Sequence, residues 1–245
     1  MGKVVVVTGA GDGLGRALAR RLAADGDTVV LLGRTLSKVQ AVADELGAPH
    51  FAVECDVSDP DKVRAAFAKI AERHPKIDVL INNAGVFEPF TLAEASDAQI
   101  LTSLNINLAG PIFCARAALP LFGGAGHIIN VTTESVTLKM PMLWMYAGGK
   151  AGLEFVSDMW SRELESAGVR VTVVRAGQMM DETKTSPGWP MDVAVRFAQE
   201  NAKIGLNLRE RPISHYKSVT DAFRAVLDMP ADVHVGLVTL SGSRR

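Results

Sequence analysis

Val4-Val5-Val6-Val7-Thr8-Gly9-Ala10-Gly11-Asp12-Gly13-Leu14-Gly15-Arg16 is the stretch on which the fold turns. The β-branched run Val4–Val7 predicts a strand, the glycines a tight turn, and Leu14–Ala24 a helix. The same alternation repeats outward from this unit. Strands are expected at Thr28–Leu32, Phe51–Glu54, Val79–Ile81, His127–Val131 and Arg170–Val174. Helical patterns lie between them at Ser37–Leu46, Asp61–Arg73, Ala98–Leu121 and Leu143–Ala167. Strands alternating with helices predict βαβ units, and right-handed crossovers place helices on both faces of the sheet. The expected class is α/β, a doubly wound parallel sheet of about seven strands, residues 1–245 forming a single domain. After Val174 the pattern changes: prolines and glycines crowd Gly177 to His215, with one helical piece near Met191–Asn201. This segment reads as an excursion or lid, followed by a helix at Val219–Leu227 and a last strand at Gly236–Leu240.

Bulk properties narrow the function. Hydrophobic residues make up 48% of the 245, enough for a large core. A formal net charge of −1 gives no electrostatic footprint for nucleic acid or an anionic membrane. Cys55 and Cys114 show no metal or redox spacing and are expected as reduced core residues. Val4–Val7 is too short for a signal peptide's apolar region and has no cleavage site, and no stretch reads as long and apolar enough to span a bilayer, so a cytoplasmic setting is expected.

The glycine loop lets the backbone approach a pyrophosphate closely, while the helix that follows offers free N–H groups and its positive dipole end. Without a following Gly-Lys-Ser/Thr, a P-loop nucleotidase is disfavoured. At the end of the second strand, Leu31-Leu32-Gly33-Arg34-Thr35 supplies a cation where a carboxylate would hold an adenosine ribose diol. A guanidinium–phosphate contact is worth roughly 1.5–3 kcal/mol, which favours NADP over NAD. The competing reading of Arg34 is a solvated surface arginine. Asp12 within the loop argues mildly the other way, with Arg16 available to offset it. Asp56 is placed either to meet the adenine edge or to cap the next helix.

Tyr146-Ala147-Gly148-Gly149-Lys150 puts a phenol and an ammonium four apart, on one helix face. A free phenol has a pKa of about 10. A cation at about 4 Å, at an effective dielectric near 20, contributes roughly 4 kcal/mol and would lower it by about three. Tyr146 is then poised as a general acid–base.

Three motifs, in their order and spacing, resemble the short-chain dehydrogenases/reductases: Thr8-Gly9-x-x-x-Gly13-x-Gly15, Asn82-Asn83-Ala84-Gly85 and Tyr146-x-x-x-Lys150. Asn107, within Asn105-Ile106-Asn107-Leu108-Ala109-Gly110, looks like the helix asparagine of that family. The resemblance spans the chain to about Val174 and implies a Rossmann fold. It also implies hydride transfer between nicotinamide C4 and a small-molecule carbonyl or alcohol, with NADP(H) favoured over NAD(H). Tyr146 would handle the proton, Lys150 would lower the tyrosine pKa and hold ribose hydroxyls, and Asn107 would anchor a water linking Lys150 to solvent. The implied cofactor set is Thr8, Gly9, Gly13, Leu14, Gly15, Arg34, Asp56, Val57, Asn83, Ala84, Gly85, Tyr146, Lys150, Gly177 and Met179. Assembly as a homodimer or homotetramer through the two long helices is also implied.

The chain departs from the family where a serine is usual, thirteen residues before the tyrosine: Thr133 stands there, with Ser135 as its competitor. A threonine keeps the hydroxyl and stiffens χ1. The usual Pro-Gly after the sixth strand is Ala176-Gly177 here. Substrate choice is expected to depend on Glu88-Pro89-Phe90, on Lys139–Leu143 and on the Gly177–His215 lid, with Trp144, Trp189, Met179 and Met180 making an apolar or aromatic substrate plausible. Two other readings stay open: a cofactor-binding sensor or scaffold with little catalysis, and a lyase or isomerase on the same scaffold.

Overall fold

In the computed structural model, which describes residues 2–181 and 188–243, seven parallel strands form one sheet. They are β1 (Val4–Thr8), β2 (Thr28–Gly33), β3 (Phe51–Glu54), β4 (Val79–Asn82), β5 (Gly126–Thr133), β6 (Val169–Ala176) and, last in the chain, β9 (Leu237–Leu240). Their spatial order is β3-β2-β1-β4-β5-β6-β9. The order reverses between β1 and β4, and that reversal opens a crevice at the carboxyl ends of the strands. The α/β, doubly wound fold class is as the sequence implies.

The pleat explains why the central strands are so uniformly apolar. Val5, Val7, Val29 and Leu31 face one layer, with Leu18 and Leu22 of α1 (Gly13–Ala24) and Phe223 of α9 (Tyr216–Leu227). Val6, Val30 and Leu32 face the other, with Phe67 and Ile70 of α3 (Pro60–Arg73) and Cys114 and Ala118 of α5 (Gly110–Ala118). A parallel strand covered on both faces has no polar side to alternate with. Cys55 and Cys114 are both buried free thiols within this second layer. α2 (Leu36–Leu46) and α7 (Trp144–Glu163) complete the helical covering.

Local chemistry sets the helix starts. Asp12 caps α1 by accepting from the Gly13 amide at 2.7 Å. Asp59, followed by Pro60, caps α3 through the amides of Asp61 and Lys62. Asp59 therefore takes the capping role, and the capping alternative for Asp56 is overturned. Ser96 and Gln99 close a capping box on α4 (Asp97–Leu104). α9 begins at Tyr216, three residues earlier than expected, because His215 Nδ1 accepts from the Lys217 amide.

The long helix expected at Ala98–Leu121 is a continuous helical stretch with a π-helical turn, Asn105–Ala109, between α4 and α5. This 25-residue stretch, Asp97–Leu121, is long and apolar enough to cross a membrane by length and composition alone, which corrects the expectation that no such stretch exists. Its apolar side is spent on the sheet: Ile106, Cys114, Ala115 and Ala118 are buried in the second core layer.

The excursion carries β7 (Met179–Met180), paired with β8 (Ser214–His215), and α8 (Met191–Ala202). Residues 182–187 of the expected lid lie outside the described residues. A third apolar cluster joins Phe197 of α8 to Met140, Met142 and Leu143, which follow the short helix α6 (Ser135–Leu138).

Candidate active site

Four strand ends meet at the crevice: Thr8 on β1, Asn82 on β4, Thr133 on β5 and Ala176 on β6. The glycine loop is built for close approach. Gly9 has φ +66°, and a Cβ there would lie 2.9 Å from Ala84 Cα. A Cβ on Gly15 would lie 2.5 Å from Asn83 Nδ2 and closer still to the Gly9 carbonyl oxygen. Gly13, at φ +49°, begins α1 and so turns the first amides of the helix toward the loop mouth. A cradle in which side chains would collide, at a helix N-terminus and a switch point, fits a dinucleotide pyrophosphate.

Two polar residues expected at the cofactor are turned inward. The Thr8 hydroxyl accepts from the amides of Asn83 and Ala84, both at 3.0 Å, and the residue is buried. Asn83 Nδ2 donates to Thr8 O at 3.0 Å and Gly9 O at 3.4 Å. Both side chains clip β4 to the glycine loop. Asn82 turns into the sheet, donating to Asn130 Oδ1 and Pro111 O. Leu14 and Val57 are buried, and Val57 packs against Gly110, where a Cβ would lie 3.0 Å from Val57 Cγ2. Met179 packs partly buried against the first core layer.

At the adenine end, Arg34 is exposed just beyond β2. Asp56 accepts from the amide and hydroxyl of Ser58 at 3.0 and 2.7 Å. Burial pushes its carboxyl up, but the Ser58 hydrogen bonds and the Arg34 and Lys62 cations outweigh that and leave it below the usual value. Lys38 was not anticipated. Its stem passes the loop so closely that a Cβ on Gly11 would lie 3.0 Å from Lys38 Cβ. Its signal was its place in the first turn of α2, four residues after Arg34. Arg16 pairs with Asp12 at 3.9 Å, offsetting the loop carboxylate.

At the chemical end, Thr133 Oγ1 accepts from the Ser135 amide at 3.2 Å and the Ser135 hydroxyl at 3.1 Å. With both acceptor positions filled, its own hydrogen remains for the Tyr146 phenol, which the Thr133 hydroxyl acts on by lowering its pKa. Of the two candidate hydroxyls, that of Ser135 is spent on Thr133, and that of Thr133 is the one left for the Tyr146 phenol. Lys150, 2% exposed, donates from Nζ to Val131 O at 2.8 Å. Asn107 is fully buried; its Oδ1 accepts from Val86 N at 3.1 Å and its Nδ2 donates to Val86 O at 2.8 Å. Gly85 sits between the two: a Cβ there would lie 3.1 Å from Asn107 Oδ1 and 3.8 Å from Lys150 Nζ. Glu154, one turn beyond Lys150, accepts from Thr132 and Arg175 and so fixes α7 on β5 and β6.

The electrostatics correct the expected tyrosine. Burial pushes Tyr146 up to about 12, with the Thr133 hydroxyl pulling the other way, and pushes Lys150 down to about 8. Desolvation disfavours the charged form of both, and among the protein's own groups it outweighs the attraction on which the expected lowering rested. As the protein alone sets it, Tyr146 is a protonated phenol at neutral pH.

The wall beside Tyr146 is aromatic. The Phe87 ring lies 5.7 Å from Tyr146, Trp189 meets Phe87 edge-on at 5.6 Å, and Trp189 meets Phe197 at 5.1 Å. Trp189 Nε1 donates to Phe87 O at 3.0 Å. Of the segment Glu88-Pro89-Phe90, Phe90 is instead buried against Trp144, whose Nε1 donates to Phe90 O. Phe87 is the residue that reaches the site. Gly177 lies against Glu134 and Leu240, with a Cβ there 3.1 Å from Glu134 Oε2.

The family model for the short chain dehydrogenases matches residues 3–190. Over 248 aligned residues the chain is 31% identical to the NADP-dependent 3-hydroxy acid dehydrogenase YdfG of Salmonella typhi, covering 97% of this chain and 94% of that one. The alcohol dehydrogenase of the archaeon Thermococcus sibiricus, solved with 5-hydroxy-NADP, matches at TM-score 0.82 and 26% identity over 100% and 99% of the two chains. A metagenomic short-chain oxidoreductase solved with NADP matches at TM-score 0.79 and 25% identity over 99% and 98%.

Proposed function

The chain belongs to the short-chain dehydrogenases, oxidoreductases that use a nicotinamide cofactor, and on that footing we propose that it reduces a carbonyl substrate at the expense of NADPH. The observation that carries this reading is that α7, bearing Tyr146 and Lys150, is held against the end of β5 that bears Thr133, with Lys150 Nζ donating to Val131 O. The cofactor, when bound, supplies the hydride. Tyr146 donates the proton to the substrate oxygen, a task suited to a phenol held near 12 and so fully protonated at neutral pH. As that proton leaves, the Thr133 hydroxyl donates to the oxygen that gains charge. Lys150, with a pKa of about 8, is mostly a cation at pH 7 and favours the same anion.

Arg34 at the end of β2, a glycine rather than a carboxylate at Gly33, and Lys38 beside Gly11 support NADP over NAD. Phe87, Trp189, Phe197 and Met140 support a substrate with an apolar or aromatic group next to its carbonyl. Self-association of a cytoplasmic protein is part of the proposal: Leu101 on α4 and Phe155 and Met159 on α7 are exposed apolar residues that a second copy would cover. Light scattering tests it, and a monomer would refute it.

The test of function is loss of NADPH absorbance with a panel of ketones, aldehydes and quinones. Tyr146→Phe is expected to abolish turnover, and full turnover in that variant sinks the acid role. Tight NADPH binding with no turnover supports a cofactor-binding sensor instead. Substrate conversion without net loss of NADPH supports a lyase or isomerase.

A further inference from the structure

Glu134 stands between the two inward hydroxyls of Thr133 and Ser135, and its backbone is fastened on two sides. Its amide donates to Ala176 O at 2.9 Å, and its carbonyl accepts from the amides of Thr137 and Leu138, both at 3.0 Å. Its side chain leaves the hydroxyls and pairs with the guanidinium of Arg211, Oε2 to Nη2. Arg211 follows the short turn Leu208–Glu210 and directly precedes the return of the excursion through β8. Both side chains are largely shielded, 12% and 21% exposed. Arg211 Nε is buried without a hydrogen-bond partner among the described residues. A shielded ion pair that leaves a donor unmatched is a poor way to gain stability, since apolar residues of similar volume do as well. What such a pair does well is fix one placement.

The excursion needs fixing. Leu206 and Leu208, a few residues before Arg211, pack with Tyr146 and Trp189 on the cluster of Met140, Met142, Leu143 and Phe197. One end of this wall is tied to the rigid frame by Trp189 donating to Phe87 O. Glu134, on the end of the sheet, holds the other.

We propose that Glu134 and Arg211 are a positioning pair, which ties the returning arm of the excursion to the Thr133 segment and so sets Leu206 and Leu208 on the apolar cluster against which Tyr146 also packs. Neither residue touches the reacting atoms. Their effect falls on how well a carbonyl substrate is held and not on the hold of the glycine loop, at the ends of β1 and β4, on the nucleotide's pyrophosphate. The kinetic arm rests on the reductase reading above; the exchange arm does not.

The experiment compares Arg211→Met, Arg211→Lys, Glu134→Gln and the double variant Glu134→Gln/Arg211→Met. Each single loss is expected to raise the carbonyl KM about tenfold and leave the NADPH Kd within about twofold, with the double no worse than either single and Arg211→Lys recovering part of the loss. Multiplying losses in the double, an unchanged KM in the singles, or an equal loss of NADPH affinity overturns the proposal. Hydrogen exchange supplies a readout that needs no substrate. Arg211→Met, or Glu134→Gln if that variant does not fold, is expected to speed exchange of the Leu206 and Ser214 amides at least about tenfold, with Val171–Val174 unchanged. Unchanged exchange at Leu206 and Ser214 overturns the pair even where wild type turns over no carbonyl, a result that would separately defeat the reductase reading.

Discussion

Replacing Thr133 by valine removes one hydroxyl and keeps the shape, and the hydrogen-bond geometry sets what that should cost. Thr133 Oγ1 takes two hydrogens from Ser135, at 3.2 and 3.1 Å, so its own is free for the Tyr146 oxygen. In the ground state that bond joins two neutral groups. As Tyr146 gives up its proton, the same bond reaches a developing anion, and bonds to charged groups contribute about 1.5–3 kcal/mol. Losing it is expected to slow kcat by about ten- to a hundredfold with NADPH affinity unchanged. It should also push Tyr146 above its value of about 12, so that alcohol oxidation, which needs the phenolate, requires a higher pH. Thr133→Ser keeps the hydroxyl and is expected to stay within about threefold of wild type, losing about 0.8 kcal/mol of stability with its methyl. Ser135→Ala leaves the Thr133 hydrogen available and is expected to cost kcat less than Thr133→Val does. The assay is steady-state NADPH oxidation with the best carbonyl of the panel, repeated across pH. A Thr133→Val enzyme within about twofold of wild type, or a Ser135→Ala enzyme that is the more damaged of the two, refutes the reasoning.

Three further outcomes follow from the same coordinates. Arg34→Ala should weaken NADPH binding about tenfold and leave NADH nearly untouched, by calorimetric titration; equal losses for both would return Arg34 to a solvated surface residue. Gly15→Ala should lower Tm by roughly 3–10 °C, because the added Cβ meets the Gly9 carbonyl and Asn83 Nδ2, whereas Gly148→Ala, with open space around it in the second turn of α7, should raise Tm; equal effects would contradict the packing. Burial pushes His127 down to about 3 from the ordinary 6.5, so its contribution is present above pH 6.5 and is lost as pH falls toward 3. Urea unfolding of His127→Leu should therefore lose about 3 kcal/mol less than wild type between pH 7 and pH 4, and identical pH slopes would show that the imidazole is not held neutral.

The fold was legible because its signals are local and repeated. Val4–Val7 is apolar throughout, since β1 is covered on both faces, and Asp12, Gly13 and Gly15 mark a strand-to-helix turn by backbone necessity. The elements that escaped are short or held by distant partners. β7 and β8 are two residues each and, among the described residues, pair only with one another, so no periodicity announces them. The start of α9 was missed because its cap is a histidine, outside the usual capping set.

At the site, the motifs located the residues but not what their polar atoms are spent on. Thr8 and Asn83 belong to one motif with the glycines, yet their side chains join β1 to β4 and only the glycines shape the cradle. A spacing of four put Tyr146 and Lys150 on one face, and from that the phenol was expected to fall. Spacing carries no information about desolvation, which is set by everything packed around the pair, and desolvation moves the tyrosine up and the lysine down. That reversal bears on direction as well as on pKa. A phenol that keeps its proton at pH 7 is a ready donor to a carbonyl oxygen and a poor acceptor from an alcohol. Between the two directions a reversible hydride transfer allows, the protein's own groups lean toward reduction.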